Sequence, residues 1–163
     1  IYFNAKIGTP EGSLFDGSPA LNAGMFNIGT KQGVTDQDVW FVLVGKTLPF
    51  SAGRIHAGPY LGNGTVLRNS DGDKDNLGFM VGYDKGFFPT KDSAGNEFNR
   101  VVIGADYISG DNALGGGGAG VYYYFTKDIS LLAGPVWFNN KEINGDMKWT
   151  LQLDINLPSL FKK

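Results

Sequence analysis

Residues 147–157 read MKWTLQLDINL, and their alternation decides the fold of this chain. Every odd-numbered residue, from Met147 to Leu157, is apolar, and every even-numbered one, from Lys148 to Asn156, is polar. Successive side chains of a strand point to opposite faces of a sheet, whereas a helix would spread both sets around its circumference. The stretch therefore predicts a strand with one apolar and one polar face. Such a strand suits a soluble sandwich and an outer-membrane barrel equally, so the rest of the chain must decide between them.

The composition favours a single sheet-rich domain. The 163 residues include 25 glycines and 13% aromatic residues, which suits sheets with tight turns better than helices. The formal net charge of −2 provides no basic field for nucleic acid. Because cysteine is absent, a disulfide framework, a thiolate metal site and a cysteine nucleophile are excluded. No run reaches the roughly 18 apolar residues of a membrane-spanning helix, whereas a barrel strand needs only about 9–11 residues.

Eight further segments have the character of strands. They cover residues 1–8, 20–28, 39–48, 51–62, 76–87, 100–109, 118–125 and 129–138. From the fourth segment onward the apolar face falls on odd residue numbers, and the other face carries glycines beside long polar side chains, which is typical of a crowded interior. We therefore predict an all-β fold, an antiparallel up-and-down transmembrane β-barrel of about nine to twelve strands. Residues 1–157 would form this single domain, with residues 158–163 as a C-terminal tail.

Aromatic residues of the apolar face are predicted to form two belts at the membrane interfaces. With the last strand running toward the periplasm, the outer belt contains Tyr107, Trp137 and Trp149. The inner belt contains Tyr83, Phe87 and Phe125. The connections assigned to the outer side are polar and cover residues 29–38, 62–76, 109–116 and 139–146. A soluble sheet has no reason to produce two such belts, so they favour the membrane.

Two features depart from the usual barrel pattern. The inner connections at residues 9–19 and 86–98 are longer than typical periplasmic turns. The number of strands is odd, whereas single-chain bacterial barrels have even numbers. We therefore expect at least one N-terminal strand beyond this sequence, which begins at Ile1 and reads like a processed or truncated product.

Several segments resemble poorly characterised porin-like outer-membrane β-barrel proteins of Gram-negative bacteria. They are FNIGTKQGVTDQD, VGKTLP, R-x-H-x-G-x-Y-x-G-N (residues 54–63), VGYDKGF, GADYISGDNALG and WTLQLDINL. The resemblance spans most of the chain and consists of residue patterns in strands and loops, not of catalytic motifs. It implies a barrel surrounded by outer-membrane lipid, with no established reaction. The tail PSLFKK departs from the pattern, because typical barrels end on the aromatic residue that closes the last strand.

Charged and polar side chains are predicted to line the interior or pore. They are Arg54, His56, Asp84, Arg100, Asp106, Lys148, Gln152 and Asp154. Opposite charges on an inward face either pair and fill a narrow barrel, or line a wet pore and tune ion selectivity. We therefore predict a non-enzymatic protein without a cofactor, either a narrow porin-like channel for small solutes or ions or a structural barrel. A protein partner in the cell envelope stays open.

An outer-membrane hydrolase is the enzymatic alternative to this passive role. It would use His56, the only histidine, with Ser51 or Ser130 and with Asp84 or Asp106. No spacing selects such a set, so His56 is interpreted as an interior residue hydrogen-bonded to Tyr or Asp.

A calcium site and a soluble barrel are less favoured interpretations. Asp71, Asp73 and Asp75 resemble the opening of a calcium loop, but the glycine at the sixth position and the glutamate at the twelfth are absent, so a solvated acidic loop is favoured over a metal site. A soluble lipocalin-like barrel that binds a small apolar ligand would need an apolar inward face, whereas here the glycines share a face with the polar residues.

Overall fold

The computed structural model describes residues 1–156, which form one sheet of nine strands. The strands are β1 (Tyr2–Thr9), β2 (Ala20–Gly29), β3 (Val39–Thr47), β4 (Arg54–Leu61), β5 (Leu77–Lys91), β6 (Glu97–Ile108), β7 (Gly116–Thr126), β8 (Ile129–Phe138) and β9 (Lys148–Ile155). A four-residue helix, α1 (Lys141–Asn144), is the one helix of this range, and no helix there is long and apolar enough to cross a membrane. Leu157 and the predicted tail, residues 158–163, lie outside the described residues.

The strands follow one another in an antiparallel, up-and-down order, which confirms the predicted all-β arrangement. The expected closure into a barrel is not formed by these nine strands, because β1 and β9 are each paired on one side only. Consecutive strands alternate in direction, so β1 and β9 run the same way. A direct bond between them would therefore be a parallel pair, unlike all the ladders that the sheet contains.

The predicted connection at residues 86–98 is mostly strand. β5 continues to Lys91 and β6 begins at Glu97, which leaves a turn of residues 92–96. The Asp92 carboxylate accepts hydrogen bonds from the backbone N–H of Ala94 and of Asn96, each at 2.9 Å. A hydrogen bond from the Asn96 side chain, together with these two backbone bonds, holds the pKa of Asp92 below its usual value. The hairpin is therefore closed by side-chain capping of a short turn. The Pro, Lys, Asp and Gly residues of the segment had favoured a long connection instead of two extended strands.

Rows of directly paired residues cross the sheet diagonally. One row on the outward face consists of Thr9, Leu21, Val44, Ala57, Val81, Tyr107, Gly117 and Trp137. It meets β1 at its last residue, Thr9, and β8 at Trp137, next to its last residue. Because β1 and β8 run in opposite directions, these two residues lie at opposite ends of the sheet. This displacement is the stagger that tilted strands adopt when a sheet curls toward a barrel.

The outward face is apolar and uncovered. Trp149 and Leu151 are each 73% exposed, and Trp40 on β3 is 57% exposed. In a soluble domain a second layer of helices or strands covers the apolar face of a sheet. No such layer lies over these side chains in the described part of the chain.

The small buried core lies on the inward side, at the end of the sheet that carries the long loops. Val39, Tyr60 and Leu67 are its fully buried members. Partly buried Phe26, Phe41, Met80, Ile108 and Leu114 pack against them. Leu67 belongs to the connection at residues 62–76, which was predicted to be a solvated surface loop. That prediction is wrong for Leu67, because the loop turns inward and fills this end of the sheet.

Candidate binding cavity on the inner face

Three of the predicted interior residues lie in one row of the sheet. The row consists of Ala20, Gly45, His56, Gly82, Asp106, Gly118, Val136 and Lys148. Directly paired residues share a face, so His56, Asp106 and Lys148 all belong to the inner face. Asp84 is paired with Arg54 on one side and with Gly104 on the other. Gln152 is paired with Leu132, and Asp154 with Ser130.

A cavity of about 860 Å³ lies over the inner face between β4 and β9. Of the predicted interior residues, its lining includes His56, Asp84, Asp106 and Gln152. Tyr122 and Tyr124 of β7 line it as well, with their rings stacked at 6.5 Å between centroids and an interplanar angle of 29°. In the sequence these tyrosines stood out only as members of the even-numbered face. Their position next to a glycine-rich stretch was the available signal.

Glycines make room for large side chains on this face. A Cβ atom at Gly82 would lie 2.3 Å from Nε2 of His56, and one at Gly120 would lie 2.5 Å from Cδ1 of Leu132. Gly118 and Gly104 are different. A Cβ atom at Gly118 would meet its nearest neighbour, Oδ1 of Asp106, at 3.5 Å, and one at Gly104 would meet the Tyr122 ring at 3.4 Å. At these two glycines the cavity floor would therefore accept a Cβ atom at ordinary contact distance.

Pairing of opposite charges across the interior, one of the two predicted arrangements, does not occur among the described residues. Their ion pairs join Lys46 to Glu11, Lys91 to Glu97, Lys127 to Asp128 and Lys141 to Asp146, none of which includes a predicted interior residue. Asp106 accepts a hydrogen bond from the Gly118 N–H at 3.2 Å, and Asp154 accepts one from Gln152 at 2.7 Å.

Three predicted interior cations, Arg54, Arg100 and Lys148, form no ion pair among the described residues. Nη2 of Arg54 lies 2.9 Å from where a Cβ atom of Gly45 would be, on the β3 side of its strand and away from its β5 partner. Arg100 donates to the carbonyl oxygens of Tyr124 and Phe125 at 3.1 and 2.9 Å. Lys148 donates to the Asn144 carbonyl oxygen at 3.2 Å, and its Nζ lies 5.3 Å from the Phe138 ring centroid. Arg100 and Lys148 therefore contact backbone carbonyl groups, and Lys148 also an aromatic ring, instead of pairing with carboxylates.

Asn112, a fully buried residue of the connection between β6 and β7, ties the long loops together at one end of the cavity. Its side-chain amide donates to the Tyr60 hydroxyl at 3.2 Å and to the backbone carbonyl of Asp75. Its Oδ1 accepts from the Leu114 N–H at 2.8 Å. The Tyr60 hydroxyl donates to the Ser109 carbonyl at 2.7 Å. The sequence did not predict this network, because nothing in a polar loop distinguishes a buried asparagine from an exposed one.

His56 is placed without partners for hydrolysis. Its ring packs over Gly82, and no hydrogen bond to Tyr or Asp is formed within residues 1–156, contrary to the expectation. Asp106 lies two strands away in the same row, which is roughly 10 Å for strands about 4.8 Å apart. Ser130 is buried and paired with Asp154 on β9. Asp84 is the diagonal neighbour of His56 on β5, but within residues 1–156 no hydrogen bond joins His56 to Asp84, Ser51 or Ser130. The structure therefore shows no hydrogen-bonded set of nucleophile, base and carboxylate around His56.

The predicted belt residues of β5, β6, β8 and β9 belong to outward-facing rows of the sheet, and Phe125 lies at the register shift between β7 and β8. The Phe79 and Tyr107 rings are 6.0 Å apart, and the Tyr123 and Phe125 rings are 5.1 Å apart. The Phe87 ring lies 5.2 Å from Nζ of Lys85. Trp149 is 73% exposed and Trp137 is 38% exposed. Tyr83 is more constrained, since its hydroxyl donates to the Ala52 carbonyl oxygen at 2.6 Å and fastens the turn after β3.

Asp71, Asp73 and Asp75 are not gathered around a common point. The Asp75 carboxylate accepts from the backbone N–H of Asp111, and the Asp73 backbone N–H donates to the Asn69 side chain at 2.8 Å. Within residues 1–156 there is no group of three or more His, Asp or Glu side chains placed to hold one metal ion. The loop is thus organised by backbone capping.

Comparisons of the chain with protein-family models, with curated proteins and with solved structures found no match.

Proposed function

We propose that this chain forms most of a transmembrane β-barrel in the outer membrane of a Gram-negative bacterium. The observation that carries the proposal is the uncovered apolar outward face, on which Leu151 and Trp149 are each 73% exposed. Lipid acyl chains would cover these side chains, as they do in outer-membrane barrels. The resemblance in sequence texture to porin-like barrel proteins supports the same location.

Closure of the barrel with antiparallel pairs throughout requires further strands. The diagonal rows give the sheet the stagger that a barrel of tilted strands has. Because β1 and β9 run in the same direction, one further strand, or another odd number of them, would restore antiparallel pairing all the way round. This completes an even-stranded barrel and agrees with the expected range of about nine to twelve strands.

We assign the barrel a passive role as a narrow porin-like passage for small solutes or ions. The cavity of about 860 Å³, whose lining includes His56, Asp84, Asp106 and Gln152, supports a wet lumen. A structural barrel is the second candidate, and the two loops that carry fully buried Leu67 and Asn112 favour it, because these residues narrow one end. Single-channel recording of the folded protein in a planar bilayer separates the two roles. Discrete conductance steps are expected for the passage, and a folded, silent protein would leave the structural barrel.

The membrane location is tested by two arginine substitutions on adjacent residues of β9. Leu151 faces outward and Gln152 faces inward, so they differ in environment while sharing a strand and a high exposure. Leu151→Arg is expected to reduce the free energy of folding into lipid vesicles by about 2–4 kcal/mol, the cost of a charge at the centre of a bilayer. Gln152→Arg is expected to fold nearly as well as the wild type. Folding would be followed by tryptophan fluorescence in urea and by the mobility of unboiled samples in gels.

Equal folding of the two variants, or a wild-type protein that stays soluble and monomeric without detergent, would contradict the membrane location. In the latter case a soluble binding barrel would replace it.

A further inference from the structure

We infer that the inner-face cavity binds a small organic cation, such as a quaternary ammonium group, through Asp84, Asp106 and the aromatic wall of Tyr122 and Tyr124. This inference rests on the proposed function, because the bound cation would represent the class of solute that passes through the lumen. Binding itself depends only on the folded sheet.

The two carboxylates supply uncompensated negative charge. Asp84 and Asp106 line the cavity, and neither forms an ion pair with another described residue. They lie on neighbouring strands, since Asp106 is paired with Gly82, two residues before Asp84. Diagonal partners of this kind are about 7–8 Å apart, so one small cation can lie within reach of both.

The inward cations do not neutralise these carboxylates. The Arg54 guanidinium extends toward Gly45, while Arg100 and Lys148 bind backbone carbonyl groups near the ends of the sheet. Lys6 on β1 also faces inward. It lies in the row of Gly24 and Phe41, near the β1 edge of the sheet and away from the cavity between β4 and β9. Within residues 1–156, a cation that enters the cavity therefore meets two carboxylates that form no ion pair, although the basic ring of His56 lines the same cavity.

The shape of the cavity suits an organic cation. Gly118, the partner of Asp106, leaves room for a side chain on the cavity floor, and the Tyr122 ring lies over Gly104, the partner of Asp84. Tyr122 and Tyr124 stand at its side, and aromatic faces attract ammonium groups within about 6 Å of the ring centroid.

A bare metal ion fits this lining less well. Calcium requires about six to eight oxygen ligands, and no group of three potential metal-binding side chains exists among residues 1–156. The apolar side chains Val102, Leu132 and Val136 also line the cavity, and they suit the methyl or methylene groups of an organic cation.

The test is calorimetric titration of the folded wild-type protein in detergent with choline and with its neutral isostere, 3,3-dimethylbutan-1-ol. Choline is expected to bind at least about tenfold more tightly than the isostere, which corresponds to about 1.4 kcal/mol. Asp84→Asn and Asp106→Asn are each expected to weaken choline binding about tenfold. Asn at position 106 keeps an oxygen that accepts from the Gly118 N–H, so this variant preserves the local hydrogen bond.

Asp154→Asn is the comparison variant, because Asp154 is an inner-face carboxylate near Tyr122 but outside the cavity lining. Its choline affinity is expected to fall less than that of Asp84→Asn or Asp106→Asn. Gly118→Val places methyl groups on the cavity floor and is expected to abolish binding while the strands remain folded, as circular dichroism would show.

Absence of choline binding, equal binding of the isostere, or an equal loss in Asp154→Asn would overturn the inference. These outcomes are independent of the arginine substitutions on β9. A protein that binds choline but tolerates Leu151→Arg in vesicles would retain the cation site and lose the membrane location. The reverse pattern would retain the barrel and lose the site.

Discussion

Tyr60 and Gly78 show how single residues determine the packing of the inner face. They are directly paired, and a Cβ atom at Gly78 would lie 2.6 Å from Cε1 of Tyr60. The ring cannot shift easily, because it is fully buried and its hydroxyl is held by the Ser109 carbonyl oxygen at 2.7 Å. The absence of a side chain at position 78 is therefore a requirement of the core.

Gly78→Ala is expected to lower the free energy of unfolding by about 1–3 kcal/mol, the usual cost of overpacking. Gly118→Ala is the control, since its Cβ atom would have no neighbour closer than 3.5 Å, and its effect is expected to stay within about 0.5 kcal/mol. Urea unfolding in micelles, followed by tryptophan fluorescence, measures both. An equal loss in the two variants would mean that glycine matters here for a reason other than space.

At this scale the sequence predicts faces better than contacts. Alternation placed His56, Asp106 and Lys148 on one side of their strands, and the pairing of the sheet puts them in one row. It did not predict that Arg100 would bind two carbonyl groups instead of a carboxylate. A long side chain selects its partner from everything within reach, which alternation along a single strand does not reveal.

At the scale of elements, the strands and the loops differ in how far the sequence determines them. Strand β8, at residues 129–138, has the same bounds in the structure as in the prediction, because polar residues mark the turns on both sides. The connection at residues 62–76 was predicted to be solvated, yet it buries Leu67. One leucine in a polar loop carries no periodic signal, so its inward position depends on the space between β3, β4 and the loop after β6.

Asn112→Ala is expected to loosen the long loops while leaving the sheet intact. The substitution removes the donor to Tyr60 and to the Asp75 carbonyl and the acceptor of the Leu114 N–H, at a cost of about 1–3 kcal/mol for buried groups left unsatisfied. Hydrogen exchange should accelerate in residues 62–76 and 109–115 and stay unchanged in β8.

Asn69→Ala serves as the comparison, because Asn69 caps the same loop through an exposed bond to the Asp73 N–H. Its exchange rates are expected to change only around residues 69–73. Loops that exchange alike in both variants would show that Asn112 does not hold them together.

At the scale of the whole molecule, the two edges that are unpaired within residues 1–156 should govern how the sheet opens. Edge strands lack hydrogen-bonded partners on one side, and local opening begins where such protection is least. The ladder between β5 and β6 is the longest of the sheet and lies near its middle.

Amides of β1 and β9 are accordingly expected to exchange faster than those of β5 and β6 when the chain of 163 residues is folded in micelles. Mass spectrometry of proteolytic fragments after exchange measures the difference. Protection of β9 equal to that of β6 would mean that another strand already covers its free edge.

The row that carries His56, Asp106 and Lys148 begins at the first residue of β2 and reaches the first residue of β9, at the opposite end of the sheet. Once curled into a closed wall, such a row would wind around the lumen as a helical path instead of encircling it at one height. A permeating ion would then meet the carboxylate and the ammonium group in succession, not within a single charged ring. Because this sequence of charges differs when read from either side, the current through the protein would rectify.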